Sequence, residues 1–184
     1  MDVARFQGMT LQQIEERIRG LNHEELFVVG RDGAILAAYR GNGNSVAFPR
    51  SELMRDGATV THGHPSHAEG YGGTFSTADV LNMASSNWAE HRAAASGSNE
   101  MNYIIRRNST NTDAKSRALY NKVRSDAPGL EAQMRRAASA AGSNLSAASR
   151  RQVYTGVMDR YWRQTLPQYG FDYIRRREGY NYNR

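Results

Sequence analysis

A short apolar strand that runs directly into a histidine-rich segment constrains the fold of this chain most strongly. Residues 58–61 are predicted to form a buried strand, and the block His62-Gly-His-Pro65 follows it. Because side chains alternate along a strand, His62 and His64 are expected on one face. A helix is predicted over residues 76–87. If this helix folds back over the end of the strand, its first residues meet the two histidines.

The first 107 residues alternate short strands with helices. Thr10 and Gln13 form a capping box that predicts a helix ending at Gly20. Further apolar segments predict two paired strands, a short strand interrupted by Pro49, a helical turn and a second hairpin. In order, these segments are residues 26–29, 34–39, 45–48, 51–55, and 92–95 with 101–106. The pattern predicts an α/β or α+β domain, with a mixed sheet flanked by helices.

Residues 108–184 differ in composition and are rich in alanine and arginine. Two or three helices are predicted here, over residues 112–126, 130–141 and 146–165, with Pro128 and Gly129 separating the first two. We therefore predict two regions, a domain over residues 1–107 and a helical, basic, tyrosine-rich extension over residues 108–184.

The absence of cysteine from all 184 residues narrows the chemistry. Disulfides, thiolate zinc sites and a cysteine nucleophile are excluded, so a metal site must use histidine and carboxylate ligands. No apolar run approaches the length of about 20 residues that spans a membrane, and no membrane partner is expected. The N-terminus lacks the apolar core of a secretory signal. The expected compartment is the cytoplasm or a particle assembled there.

The histidine block and the predicted helix together suggest a zinc site. Ser76 and Asp79 lie three positions apart at the start of the helix, so their side chains share a face. His62, His64 and Asp79 would supply three N/O ligands and leave a fourth position open, as in catalytic zinc sites. His67 or Glu69 is the alternative: either could close the site as a fourth ligand.

Hydrolysis at such a site needs two further groups. Ser76 could donate a hydrogen bond to the oxyanion of a tetrahedral intermediate, although Ser-x-x-Asp is also a common helix capping box. A carboxylate must accept the proton of the attacking water. Glu24 and Glu25 begin the strand at residues 26–29, and strand alternation allows only one of them to face the metal.

This arrangement resembles the JAMM/MPN (JAB-type) zinc metalloproteases. Their signature is an upstream strand glutamate, then His-x-His-Pro, a spacer and Ser-x-x-Asp. Here the matching positions are Glu24 or Glu25, His62-Gly-His-Pro65 and Ser76-Thr-Ala-Asp79. The closer resemblance is to the RadC-like branch, and the sequence also resembles the JAB-type domain of some phage head-morphogenesis proteins. The resemblance covers roughly residues 10–107.

The resemblance implies a mixed JAMM-like sheet, a Zn²⁺ cofactor and a role for each matched residue. His62, His64 and Asp79 would be the zinc ligands, Ser76 the oxyanion donor and Glu24 the general acid/base. The substrate would be a protein or peptide, cleaved at an amide or isopeptide bond, including ubiquitin-like conjugates. One departure is the spacer between Pro65 and Ser76, which has ten residues, about four more than usual.

The C-terminal region points to a partner. From Arg150 onward, eight arginines face three acidic residues, and aromatic residues lie among them. A virion or host protein, a nucleic acid, or simple packing against the first domain would each explain this composition. This charge is expected to lie away from the metal centre. The alternative function is therefore a non-catalytic virion or interaction protein that uses the JAMM-like fold as a scaffold.

Overall fold

The computed structural model describes residues 1–65, 73–95 and 101–177, and the side chain of Arg177 is not included. These described residues form six strands and four α-helices, together with three short 3-10 helices. The strands are β1 (Glu25–Val29), β2 (Ile35–Arg40), β3 (Thr59–His64), β4 (Glu90–Ala95), β5 (Met101–Arg107) and β6 (Phe171–Arg177). The α-helices are α1 (Leu11–Arg19), α2 (Thr77–Ser85), α3 (Asp113–Ala141) and α4 (Ala147–Thr165). The 3-10 helices are Val3–Phe6, Arg50–Met54 and Leu166–Tyr169.

All six strands form one mixed sheet in the order β2-β1-β3-β4-β5-β6. Only the β3–β4 pair is parallel, and α2 makes the crossover between these two strands. The other neighbours pair antiparallel. This mixed α/β fold, a sheet flanked by helices, confirms the predicted class. The parallel pair is important for the site because it places β3, β4 and the start of α2 side by side.

Helices cover both faces of the sheet. The larger core lies between the sheet and α2, α3 and α4, with Trp88, Trp162 and Phe75 among its largest buried side chains. A smaller core lies under α1 on the opposite face, where Ile14 and Ile18 pack. No helix of the described chain is both long enough and apolar enough to cross a lipid bilayer.

The sequence predictions for the first half are mostly confirmed. Thr10 caps α1 in the predicted capping box, and the hairpin β4–β5 forms as expected. The strand predicted over residues 45–48 is wrong, since these residues form neither strand nor helix. Pro49 follows directly, and Ser45 instead closes a turn by accepting a hydrogen bond from the backbone N–H of Asn42.

The second half differs from prediction at two places. Pro128 does not end a helix: α3 runs through it for 29 residues. Val123, Leu130 and Met134 are buried on both sides of the proline, so packing offsets the lost hydrogen bond. Strand β6 was not predicted, and it pairs with β5 from Phe171 to Arg177. The predicted boundary at residue 107 falls at the end of β5, and the chain later returns to the same sheet.

Candidate metal centre

Strand register brings the predicted site residues to one face of the sheet. Leu26 of β1 lies opposite His62 of β3, and both face the larger core. Continuing the antiparallel register by two positions places Glu24 opposite His64. The strand backbone continues through Glu24, because its N–H donates to the carbonyl oxygen of Asn42 at 2.7 Å on the β2 side, just before the start of β1.

Small residues surround the two histidines. Ala93 and Ala95 of β4 lie beside His62 and His64 in the parallel register, which leaves room for two imidazoles on that face. Gly63 faces the opposite side, under α1. A Cβ at Gly63 would lie 3.1 Å from the carbonyl oxygen of Ile18, so the close approach of α1 favours glycine between the histidines.

The imidazoles of His62 and His64 meet the carboxylate of Asp79. Their Nε2 atoms lie 2.8 Å apart. His62 Nε2 is 3.4 Å from Asp79 Oδ1, and His64 Nε2 is 3.7 Å from Asp79 Oδ2. Ligands of tetrahedral zinc lie about 3.4 Å from each other, given bonds of about 2.1 Å. The two His–Asp distances fit this spacing, and the two imidazoles would separate by about 0.6 Å to reach it.

Helix α2 places Asp79 through its N-terminal cap. Ser76 Oγ accepts a hydrogen bond from the backbone N–H of Asp79 at 3.2 Å, and Asp79 Oδ2 accepts from the backbone N–H of Ser76 at 2.8 Å. The Ser76 hydroxyl also donates to Asp79 Oδ2 at 2.7 Å. The capping box is therefore present, and the same carboxylate faces the histidines. The two interpretations of Ser-x-x-Asp are compatible.

The pKa values of the two acidic groups of the site, Asp79 and Glu24, are shifted in opposite directions. Burial alone would raise the pKa of Asp79, but His62 and His64 outweigh it and hold that pKa well below the usual value. Burial raises the pKa of Glu24 to about 7, opposed by His64 and reinforced by Asp79. Asp79 is thus an ionised ligand candidate, and Glu24 is a carboxyl that exchanges its proton near neutral pH.

Glu25 belongs to the other face of the sheet. Its carboxylate accepts two hydrogen bonds from Arg17 Nη2, at 3.2 and 3.0 Å, and contacts His23 Nε2 at 3.1 Å. Of the two candidates for the base, only Glu24 interacts with His64 and Asp79. The alternation expected from the sequence explains this separation.

Sequence reasoning missed His91, which lies against the site. His91 Nε2 is 3.2 Å from His62 Nδ1, and His91 Nδ1 is 3.2 Å from the carbonyl oxygen of Asp79. His62, Asp79 and His91 each offer a ligand atom within 4.8 Å of the others. The predicted strand begins at Arg92, two residues after the start of β4 at Glu90, and so leaves out His91. Its parallel pairing with β3, which puts His91 beside Val60, has no local signal in the sequence.

The C-terminal half holds both ends of the segment between β3 and α2. Arg151 of α4 donates hydrogen bonds to the carbonyl oxygens of His64 and Pro65. Thr155 accepts from the backbone N–H of Gly73 at 2.7 Å. The next two residues are also held. The hydroxyl of Thr74 forms a hydrogen bond with the hydroxyl of Tyr173, and the carbonyl oxygen of Phe75 accepts one from Trp162 Nε1. Part of the basic C-terminal region therefore lies at the candidate metal centre, contrary to the expectation from sequence.

Two predicted residues, His67 and Glu69, lie outside the described residues, so their role as a fourth ligand stays a prediction. Comparison with known proteins adds no relative: no protein-family model matches the chain, and no match was found among curated proteins or solved structures. The resemblance to JAMM proteases thus stays a prediction from the motif.

Proposed function

We propose that this chain is a zinc-dependent hydrolase of amide or isopeptide bonds with a JAMM-like centre. The observation that carries the proposal is the meeting of four matched residues on one face of the sheet: His62, His64, Asp79 and Glu24. Two neutral imidazoles and one carboxylate form a donor set that zinc accepts. A carboxyl of raised pKa beside such a set is the usual companion of metal-assisted hydrolysis.

His62, His64 and Asp79 would hold the zinc ion. When bound, zinc would act as a Lewis acid that acidifies a water molecule and polarises the scissile carbonyl. Ser76 keeps Asp79 oriented through the capping box, because it both donates to and accepts from that residue. These contacts are the outer hydrogen bonds that fix a ligating carboxylate in position.

Glu24 would act as the general acid/base. As a carboxylate it accepts a proton from the attacking water, and as a carboxylic acid it delivers that proton to the leaving nitrogen. A pKa of about 7 suits both steps near neutral pH. The Ser76 hydroxyl would turn its hydrogen from Asp79 towards the oxyanion that develops on the carbonyl oxygen.

The substrate class comes from the resemblance. We propose a protein tail or a ubiquitin-like conjugate that binds in an extended form, as peptides do when they pair with a sheet edge. A phage setting would make the substrate a virion protein or a host conjugate, in the host cytoplasm or in the particle. Residues 108–184 would then contribute a protein-binding surface, and nucleic acid is the alternative partner for this region.

Paired variants of the adjacent glutamates test the proposal. Zinc-loaded protein is incubated with a lysine-linked ubiquitin dimer and with a peptide library, and mass spectrometry counts the new amino termini. We expect cleavage by the wild type and a loss of at least about 100-fold in Glu24→Gln, with zinc retained. Glu25→Gln is the matched control and should stay within about threefold, because Glu25 pairs with Arg17 on the opposite face. Zinc-loaded wild type that cleaves neither probe would favour the scaffold function, and an active Glu24→Gln would exclude Glu24 as the base.

A further inference from the structure

The imidazole of His91 is enclosed between aromatic rings and the candidate metal centre. Only 1% of His91 is exposed. Its ring centroid lies 5.2 Å from that of Phe75 and 5.1 Å from that of Trp88. Both ring nitrogens nevertheless have polar neighbours, Asp79 O for Nδ1 and His62 Nδ1 for Nε2. When both ring nitrogens of a buried histidine have defined partners, those partners determine its tautomer.

The contact with Asp79 decides which nitrogen of His91 carries hydrogen. A backbone carbonyl oxygen can only accept, so His91 Nδ1 must donate across the 3.2 Å contact. The neutral ring has one hydrogen, which leaves His91 Nε2 as an acceptor. His91 is 1% exposed between the rings of Phe75 and Trp88, and such an apolar enclosure disfavours the charged form of the ring.

The hydrogen in the next contact must therefore belong to His62. His62 Nδ1 donates to His91 Nε2 over 3.2 Å, and the neutral His62 ring then has a lone pair at Nε2. This is the atom that faces His64 Nε2 and Asp79 Oδ1. In the other tautomer, His62 Nε2 would carry the hydrogen and would have no lone pair with which to bind a metal.

We propose that His91 is a positioning residue that fixes His62 as the Nδ1–H tautomer and so presents His62 Nε2 to the metal. The chain of contacts runs from Asp79 O through His91 to His62 and returns to the Asp79 carboxylate. This path connects two candidate ligands, His62 and Asp79, through hydrogen bonds made by their atoms that do not face the metal. The role at the metal rests on the proposed zinc site, whereas the tautomer is a property of the chain itself.

His91 as a ligand is the competing assignment, because its ligand atom lies within 4.8 Å of those of His62 and Asp79. Coordination through Nε2 would remove the acceptor of the buried His62 Nδ1–H, and an unpaired buried donor costs about 1–3 kcal/mol. Coordination through Nδ1 would break the hydrogen bond from His91 to the carbonyl oxygen of Asp79. The positioning role keeps both hydrogen bonds.

Imidazole ¹⁵N NMR of the metal-free protein tests the tautomer directly. The spectra are recorded at about pH 8.5, two units above the ordinary histidine pKa. Long-range ¹H–¹⁵N spectra should show hydrogen on Nδ1 of both His62 and His91. Hydrogen on His62 Nε2 would overturn the proposal. The expected tautomer in a protein that binds no zinc would reject the proposed function and leave this inference standing.

Zinc affinity separates positioning from simple packing. His91→Leu removes the acceptor, and His91→Gln retains one. Chelator competition should show a 10- to 100-fold loss of zinc affinity in His91→Leu and a loss of less than about threefold in His91→Gln. His23→Gln, at a histidine that contacts Glu25 instead, is the control and should leave zinc affinity unchanged. A folded His91→Leu with wild-type affinity would overturn the proposal, as would zinc-loaded spectra with a metal-shifted His91 nitrogen. If His91→Leu does not fold, the spectra of the wild type decide.

Discussion

The guanidinium of Arg151 donates a 3.1 Å hydrogen bond to the carbonyl oxygen of His64, although the two residues lie 87 positions apart in the sequence. Helix α4 thereby holds the strand end that carries a candidate zinc ligand. Arg151 also donates to Pro65 O, so two consecutive carbonyl groups are fixed by one side chain. The C-terminal half, which the family resemblance does not cover, therefore shapes the site.

Replacing Arg151 with alanine should weaken both the fold and the site. Hydrogen bonds from a charged donor contribute about 1.5–3 kcal/mol each to stability, and their loss frees the backbone at His64. We expect Arg151→Ala to lower the free energy of unfolding by about 2 kcal/mol and to lower zinc affinity by about tenfold. The measurements are urea unfolding and chelator competition. Arg150→Ala, at an exposed neighbour, is the control. Equal effects from the two variants would refute the specific role of Arg151.

The raised pKa of Glu24 predicts how the metal-free protein responds to pH. His64 and Asp79 face this carboxyl, and burial raises its pKa from 4.5 to about 7. The folded state favours the protonated form of Glu24 and disfavours the ionised form. The stability that protonated Glu24 contributes is therefore fully present below pH 4.5 and is lost as the pH rises through about 7. Glu24→Gln removes the penalty. The free energy of unfolding of Glu24→Gln should exceed that of the wild type by an amount that grows by about 2 kcal/mol between pH 5 and pH 8.

Urea unfolding in the presence of a chelator measures this difference, because other pH effects are common to both proteins. If Glu24→Gln raised the free energy of unfolding equally at pH 5 and pH 8, the pKa of Glu24 would not be raised by burial. Glu25→Gln should show no such gain in the free energy of unfolding at either pH, since the Glu25 carboxylate pairs with Arg17 and His23 on the opposite face.

Pro128 and Gly129 offer a test of the continuous helix α3. Both residues are exposed within the helix, and a Cβ at Gly129 would meet nothing within 4 Å. Pro128→Ala restores a backbone donor and should stabilise the protein by about 1–2 kcal/mol. Gly129→Ala should add about 0.5–1 kcal/mol. Thermal unfolding tests both variants. Destabilisation by Pro128→Ala would indicate that the helix is broken there, as the sequence alone suggested.

Local patterns in the sequence were sufficient where a segment's structure depends on its own residues. The capping boxes at Thr10 and Ser76 and the hairpin between β4 and β5 follow from local rules, and all three are present. Strand β6 depends on pairing with β5, which lies more than 60 residues earlier. The alternation of Phe171 and Tyr173, both packed towards the larger core, was the one available signal.

The site divides in the same way. His62 and His64 share a face through strand alternation, and Ser76 and Asp79 share one through helix geometry, so both pairs were predictable. Their meeting requires the parallel β3–β4 crossover, for which the sequence has no local signal. His91 and Arg151 reach the site through tertiary contacts alone, and no spacing in the sequence connects them to it.

Zinc stoichiometry tests the central claim most directly. The protein is stripped of metal, reloaded with zinc, passed through a desalting column and analysed by elemental mass spectrometry. We predict about one zinc per chain for the wild type, and almost none for His64→Ala or for Asp79→Asn. His23→Ala, which changes a histidine outside the site, should still bind one. A wild type that retains no zinc, or an Asp79→Asn variant that retains as much as the wild type, would contradict a centre built from His62, His64 and Asp79.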